Sequence, residues 1–200
     1  NRPDPLVVVL EVVLCDSVTG TIREGCNRVL RIPCSGEPEE TESFNLIKRY
    51  FADFLPNPRV VEASFPDGTR KVVVECDKIR SSYLNRLPSF ECFSGHFNSL
   101  PDEERKRKFL ENVRKFIDAC KAFFTQERCM LDLAGFGNVI PYDGNVLVLD
   151  YNRIFRVPDD YKVKIPAGFA GYPFYDVGLR FLHTLEVSTL QHAGQLELPG

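Results

Sequence analysis

The sequence lacks the features of a membrane protein. No apolar run reaches the roughly 18 residues that a membrane-spanning helix needs. The longest run, residues 6–14, is interrupted by Glu11, and it has neither the basic flank nor the small-residue cleavage site of a signal peptide. We therefore expect the chain to have no membrane partner.

Excess positive charge and paired metal-binding spacings are also missing. The formal net charge of −3 at pH 7 leaves no basic surplus for broad binding to phosphate backbones, so we expect no nucleic-acid partner. The seven cysteines form no CxxC pair and the three histidines lie far apart, which argues against a zinc site. We expect most of these thiols to be small core residues in a reducing, cytoplasmic setting.

Several common catalytic motifs do not occur in the chain. It has no GxSxG nucleophile turn, no HExxH zinc motif and no Walker phosphate-binding loop, so none of those enzyme classes is indicated. What is present is an ordinary globular composition: 200 residues, of which 44% are hydrophobic and 26% charged. This length fits one domain, or two small lobes that share a cleft.

The pattern of the N-terminal part predicts a β-rich unit with one helix. Apolar runs at 5–14 and 27–33 predict two strands that pair with each other, and residues 40–55 carry apolar side chains at helical spacing. Residues 58–79 predict a hairpin, because Asp67 and the glycine after it separate two runs rich in β-branched residues.

The C-terminal part is predicted to be mainly helical. Residues 80–99 have weak periodicity and predict a linker with at most a short helix. Residues 99–129 give the strongest helical pattern, with Ser99 as N-cap and acidic residues in the first turn. Residues 153–173 are predicted to form a loop, and a last helix is predicted to begin near Asp176. The apolar stripe expected on the long helix consists of Phe109, Val113, Phe116, Ile117, Cys120 and Phe124.

Three polar residues mark the stretch 130–152. Asp132 and Asn138 precede two short apolar runs, and Asp150 follows them. An Asp-Gly pair joins the runs and predicts a tight hairpin turn, which would bring Asn138 and Asp150 side by side. Their oxygens are ligands of the kind that Mg²⁺ prefers. The simpler interpretation is that all three residues serve turns and strand ends, where Asp and Asn are common.

The element order and these residues together resemble the protein-kinase-like fold, including its aminoglycoside-phosphotransferase and small bacterial branches. Residues 131–138, LDLAGFGN, look like the catalytic loop of that family, and Asp150 in DYN looks like the aspartate of its DFG segment. Residues 27–33 resemble the strand that carries the nucleotide lysine, and residues 40–51 resemble the helix of the first lobe. The helix headed by Asp176 is similar to the one that anchors the catalytic loop.

The resemblance implies an α+β, two-lobed kinase-like fold. Residues 1–79 would form a small β-rich nucleotide-binding lobe, and residues 80–200 a mainly helical, minimal C-terminal lobe that includes the catalytic-loop hairpin. ATP and Mg²⁺ would bind in the cleft between the lobes, and phosphate would pass to an acceptor, a small molecule or a protein, that the sequence does not identify.

The resemblance also implies roles for individual residues. Asp132 would be the catalytic residue beside the acceptor hydroxyl, while Asn138 and Asp150 would hold the metal ion. Arg31 would take the place of the nucleotide lysine. Glu42, on the first-lobe helix, would be its partner.

The chain departs from the family pattern in several places. Arg31 stands where lysine is expected, and the segment before it offers only Gly20 and Gly25 for an ATP-cradling loop. The interval from Asp132 to Asn138 is one residue longer than usual. These departures leave two alternatives open, an ATP-dependent kinase and a catalytically inactive pseudokinase that acts as an interaction or regulatory module. A third alternative is an unrelated α+β domain.

Overall fold

A computed structural model provides the structure of the chain. It has mixed helix and sheet content, so the predicted α+β class is confirmed at that level. The chain divides into two compact units, residues 1–45 with 55–80 and residues 46–54 with 81–200. The residues that the structure describes are 8–9, 28–31, 39–64, 68, 70–84, 90–133, 135, 137–151, 154–160 and 174–197.

The first unit contains a sheet with four strands among its described residues, which are β1 Val8–Val9, β2 Arg28–Arg31, β3 Arg59–Ser64 and β4 Arg70–Asp77. Their order in the sheet is β1-β3-β4-β2. The predicted hairpin of β3 and β4 is confirmed, and Gly68 in its turn has the positive φ of 82° that favours glycine. The prediction that the first two strands pair with each other is wrong. Instead β2 pairs with β4 and β1 pairs in parallel with β3. Each strand of the hairpin has an outer edge whose backbone N–H and C=O groups can pair with a further strand.

The predicted helix after β2 is confirmed as α1, Glu39–Phe51, which continues into a 3₁₀ turn at Ala52–Phe54. It stops just before Pro56, whose ring cannot continue a helix. The buried side chains recur every three or four residues, which is the spacing of one helix face. They are Phe44, Ile47, Phe51 and Phe54.

Among the described residues, the second unit combines the end of α1 and its 3₁₀ turn with three further helices and four short strands. The segment predicted as a linker contains a full helix, α2. Its Gly95 and His96 are poor helix formers, and it is held by the packing of Phe93 and Phe97 instead. The elements are α2 Phe90–Ser99, α3 Glu103–Glu127, β5 Cys129–Leu131, β6 Val139–Tyr142, β7 Asn145–Val148, β8 Ile154–Arg156 and α4 Phe174–Glu197.

The long helix α3 is confirmed, but its predicted cap is wrong. Asp102 is the N-cap, since its Oδ1 accepts a hydrogen bond from the Arg105 N–H at 2.7 Å. Ser99 belongs to the end of α2, where its hydroxyl donates to the His96 carbonyl. Three intervening residues separate the two helices, so each end has its own polar partner.

The buried stripe of α3 differs from prediction in two ways: it also includes Leu110, and its last aromatic residue is Phe123. Phe123 is fully buried, whereas Phe124 is only half-buried and lies beneath the Arg128 guanidinium, 4.8 Å from its ring centroid. Phe123 packs against Tyr50 and Phe51, with ring centroids 5.3 and 5.5 Å away. These aromatic contacts fix the end of α1 on α3 within the second unit.

Two expectations about composition bear on the described residues. No helix in the ranges given above is long and apolar enough to cross a membrane. Cys76, Cys92, Cys120 and Cys129 are free and buried, as expected of core thiols, and burial raises the pKa of the Cys120 thiol. The other three cysteines lie outside the described residues.

Candidate functional site

Two short strands close the base of the candidate site. β5 and β8 form an antiparallel ladder in which Leu131 lies opposite Ile154. Asp132 therefore leaves one strand close to where the chain enters the other, and the β6-β7 hairpin lies between these two strands in the sequence. Neither strand was predicted, because three residues are too few to show an alternating pattern.

The helix headed by Asp176 packs against this base. At Gly178 in α4, an added Cβ would lie 3.3 Å from Met130 Cγ and 3.6 Å from Leu133 Cβ, so the close approach depends on glycine. The Asp176 carboxylate is buried and accepts a hydrogen bond from Arg180 Nε at 3.1 Å. The first turns of α4 thus support the chain on both sides of Asp132.

Asp132 lies in a sharp bend directly after β5. The Leu133 N–H donates to the Leu131 carbonyl at 2.8 Å, which closes a γ-turn centred on Asp132. The residue is buried, with a relative exposure of 4%. The backbone of Asp132 is therefore held in a defined local turn.

Asn138 connects this bend to the hairpin. Its side-chain Nδ2 donates to the Asp132 carbonyl at 2.9 Å. Its own carbonyl accepts the N–H groups of Leu149 and Asp150, at 2.7 and 3.4 Å. Because Nδ2 donates to the Asp132 carbonyl, Oδ1 is the side-chain atom of Asn138 that can accept a hydrogen bond or bind a cation.

Two glycines allow Asn138 to occupy this position. An added Cβ at Gly135 would lie 2.6 Å from Asn138 Cγ and 2.8 Å from its Oδ1, so the amide packs where any other residue would place a methyl group. Gly137 has φ 66° and its α-carbon faces the Leu84 carbonyl, which leaves no room for a side chain. The Asn138 N–H donates to the Gly135 carbonyl at 3.4 Å and closes the bend.

The structure thus connects the segments that carry Asp132 and Asp150 through the hydrogen bonds of Asn138. Arg31 lies at the end of β2, where its backbone pairs with Val74, and Glu42 lies in α1. The side chains of these two residues are outside the described part of the chain, so their pairing stays a prediction. No group of three or more His, Cys, Asp and Glu side chains in the described ranges is placed to hold a metal ion.

The tip of the hairpin is held by two side chains that sequence reasoning missed. The Gly144 N–H donates to His96 Nε2 at 3.3 Å, and the Gly144 carbonyl accepts from Asn112 Nδ2 at 2.9 Å. His96 comes from α2 and Asn112 from α3. No local pattern could have indicated these contacts, since the partners are 48 and 32 residues from Gly144 in the chain.

Comparison with solved structures finds a distant likeness. No protein-family description and no curated protein sequence matches the chain. The crystal structure of the Legionella pneumophila LegK7 effector kinase is similar with a TM-score of 0.40 and 12% sequence identity. The match covers 68% of this chain and 30% of that chain, so it spans less than a third of the neighbour's length. A likeness this distant does not establish a family.

Proposed function

We propose that this protein is a phosphotransferase-like protein that binds ATP with Mg²⁺ at Asn138 and Asp150, with Asp132 beside the acceptor. The observation that carries the proposal is the double role of Asn138. Its side chain bonds to the Asp132 segment and its carbonyl to the Asp150 segment, so one residue fixes the spacing of two carboxylate-bearing segments. Turn and strand ends alone do not require such a link.

The donor set fits a magnesium ion. Asn138 Oδ1 and the partly exposed Asp150 carboxylate are hard oxygen donors on adjoining segments, and Mg²⁺ in nucleotide sites takes one or two protein oxygens while phosphates and waters complete its shell. When bound, the ion supplies charge neutralisation on the phosphate groups. Asp150 would hold it by charge and Asn138 by its amide oxygen.

Asp132 is proposed to orient the acceptor hydroxyl. The γ-turn fixes the backbone of this buried residue, and the bond from Asn138 to its carbonyl supports that turn. A positioned carboxylate contributes by accepting or aligning the hydroxyl proton. Arg31 is proposed to place a permanent positive charge at the nucleotide phosphates, with Glu42 as its ion-pair partner. The acceptor, a small molecule or a protein, is not specified by the site.

The test separates binding from turnover in matched carboxylate variants. Asp150→Asn should weaken Mg²⁺·ATP binding about tenfold or more, because it removes the charge that faces the ion. Asp132→Asn should leave binding within about twofold but slow turnover roughly 100-fold. Asp118→Asn, an exposed carboxylate on α3, is the control and should change neither.

Two outcomes decide between the alternatives. Wild-type protein that binds no nucleotide in a Mg²⁺-dependent way contradicts the proposal. Wild-type protein that binds Mg²⁺·ATP but transfers phosphate to no acceptor, water included, supports the inactive module, which Arg31 in the lysine position favours. Equal loss of binding in both variants would show that the roles of Asp132 and Asp150 are assigned wrongly.

A further inference from the structure

We infer that neutral His96, with its proton on Nδ1, positions the β6-β7 hairpin, and that protonation of His96 breaks its hydrogen bond to the hairpin turn. The consequence for nucleotide binding rests on the proposed function, whereas the contact and its pH dependence are properties of the free protein. His96 is therefore a positioning residue and not a catalytic one.

The hairpin turn creates the need for these contacts. Tyr142 lies opposite Asn145, so only Asp143 and Gly144 form the turn, and their φ values of 46° and 72° are those of a type I′ turn. The central residues of such a turn take no part in the strand ladder. Their backbone groups need other partners where water is displaced. For Gly144 those partners are His96 Nε2 and Asn112 Nδ2.

The hydrogen bond from Gly144 fixes the protonation state of His96. An imidazole nitrogen accepts a hydrogen bond only when it carries no proton, so Nε2 is bare and the proton of the neutral ring lies on Nδ1. In the imidazolium both nitrogens carry protons. Two N–H groups would then face each other, and the bond cannot form.

The surroundings of His96 set when this change occurs. The ring lies between Tyr83, with ring centroids 6.1 Å apart, and Phe109 of α3, at 5.0 Å. Burial lowers the pKa of His96, and the Asp143 carboxylate of the hairpin turn acts in the opposite direction. Among the described residues, Tyr83 and Asp143 are titratable groups near the ring, while Asn112 on α3 is neutral.

The turn and the candidate site are opposite ends of one hairpin. β6 and β7 have four residues each, about 13 Å of strand. Beyond them the hairpin is closed by the bonds from Leu149 and Asp150 to the Asn138 carbonyl. Loss of the His96 bond removes one of the two side-chain anchors at the turn end of this short ladder, while the bond from Asn112 remains. The spacing of Asn138 and Asp150 at the other end then becomes less well defined.

The test uses NMR on the free, full-length chain. Wild-type His96 should show a bare Nε2 and a protonated Nδ1 at neutral pH. The protection factor of the Gly144 amide should fall roughly tenfold as the pH drops through the pKa of His96, because one hydrogen bond is lost. The variants are His96→Gln, which retains an acceptor oxygen without a titration, and His96→Ala. The control is His183→Ala, an exposed histidine on α4.

The variants give distinct expected results. His96→Gln should keep Gly144 protected at every pH, His96→Ala should leave it weakly protected at every pH, and His183→Ala should behave as wild type. An Nε2-protonated tautomer, or wild-type protection that ignores the titration of His96, overturns the inference. Both observations need only the wild-type chain, so poor folding of His96→Ala does not affect them. Neither involves nucleotide, so failure here is distinct from failure of the proposed function.

Discussion

Gly135→Ala introduces a single methyl group into the place where the Asn138 amide packs. The added Cβ would lie 2.6 Å from Asn138 Cγ and 2.8 Å from its Oδ1. Gly135 is not in the left-handed region, so alanine meets no backbone strain there and the whole effect comes from the overlap. Asn138 can move away only by giving up its bond to the Asp132 carbonyl.

The size of the effect follows from these two consequences. Forcing an extra methyl into a packed site costs about 1–3 kcal/mol, and a buried carbonyl that loses its donor costs about 1–3 kcal/mol more. The free energy of unfolding of Gly135→Ala should therefore fall by about 2–6 kcal/mol. The matched control is Gly194→Ala in α4, where nothing lies within 4 Å and alanine should add up to about 1 kcal/mol.

Urea unfolding measures both variants, and a double-mutant cycle isolates the cause. In an Asn138→Ala background the overlap is gone, so Gly135→Ala should cost much less than in the wild-type background. A loss below about 0.5 kcal/mol for Gly135→Ala alone would refute the packing argument, since surface changes have effects of that size. An unchanged cost in the Asn138→Ala background would show that the strain lies elsewhere.

Three other predictions test the fold and its pH dependence. Asp102→Ala should lower the stability by about 1 kcal/mol because it removes the N-cap of α3, whereas Ser99→Ala should cost less than half of that in the same urea assay. Phe123→Ala should cost about 3–5 kcal/mol, and Phe124→Ala clearly less, because only the first ring is fully buried. Burial lowers the pKa of His96 below its ordinary value of 6.5. Its contribution to stability is therefore present above that pH and is lost as the pH falls through the folded-state pKa, and His96→Gln should flatten this part of the measured stability–pH curve.

Features with local causes were predictable from the sequence. The periodic apolar residues of α3 and the Asp143-Gly144 turn each specify their element within a few residues, and both elements are present. The local predictions that were wrong concern neighbouring residues that can each serve the same structural role. Ser99 and Asp102 are both good caps, and the structure gives the cap to Asp102 and leaves Ser99 at the end of α2.

Features with non-local causes were not predictable. The partner of β2 depends on which edge of the β3-β4 hairpin is free to pair, and the residues of β2 carry no information about that edge. The strands β5 and β8 have three residues each and exist through pairing with one another. The helix α2 depends on tertiary packing around Phe93 and Phe97 more than on helix propensity.

The candidate site shows the same division. Asn138 and Asp150 could be paired from the hairpin alone, because a two-residue turn places the residues at the strand ends side by side, whereas the role of Asp132 followed from the family resemblance. The supports of that site, His96, Asn112 and Gly178, come from three separate helices and carry no motif. The pairing of Arg31 with Glu42 stays a prediction of the sequence.

The most direct test of the central claim is to locate the metal ion with Mn²⁺ in place of Mg²⁺. Paramagnetic Mn²⁺ broadens NMR signals of nearby nuclei, so titration of the ¹⁵N-labelled chain in the presence of ATP reports the position of the ion. We predict selective broadening of the Asn138 side-chain amide and of the Asp150 backbone amide, lost in Asp150→Asn and removed by excess Mg²⁺. Broadening centred on other carboxylates, or none at saturating ATP, would contradict the assignment of Asn138 and Asp150 as the metal-nucleotide site.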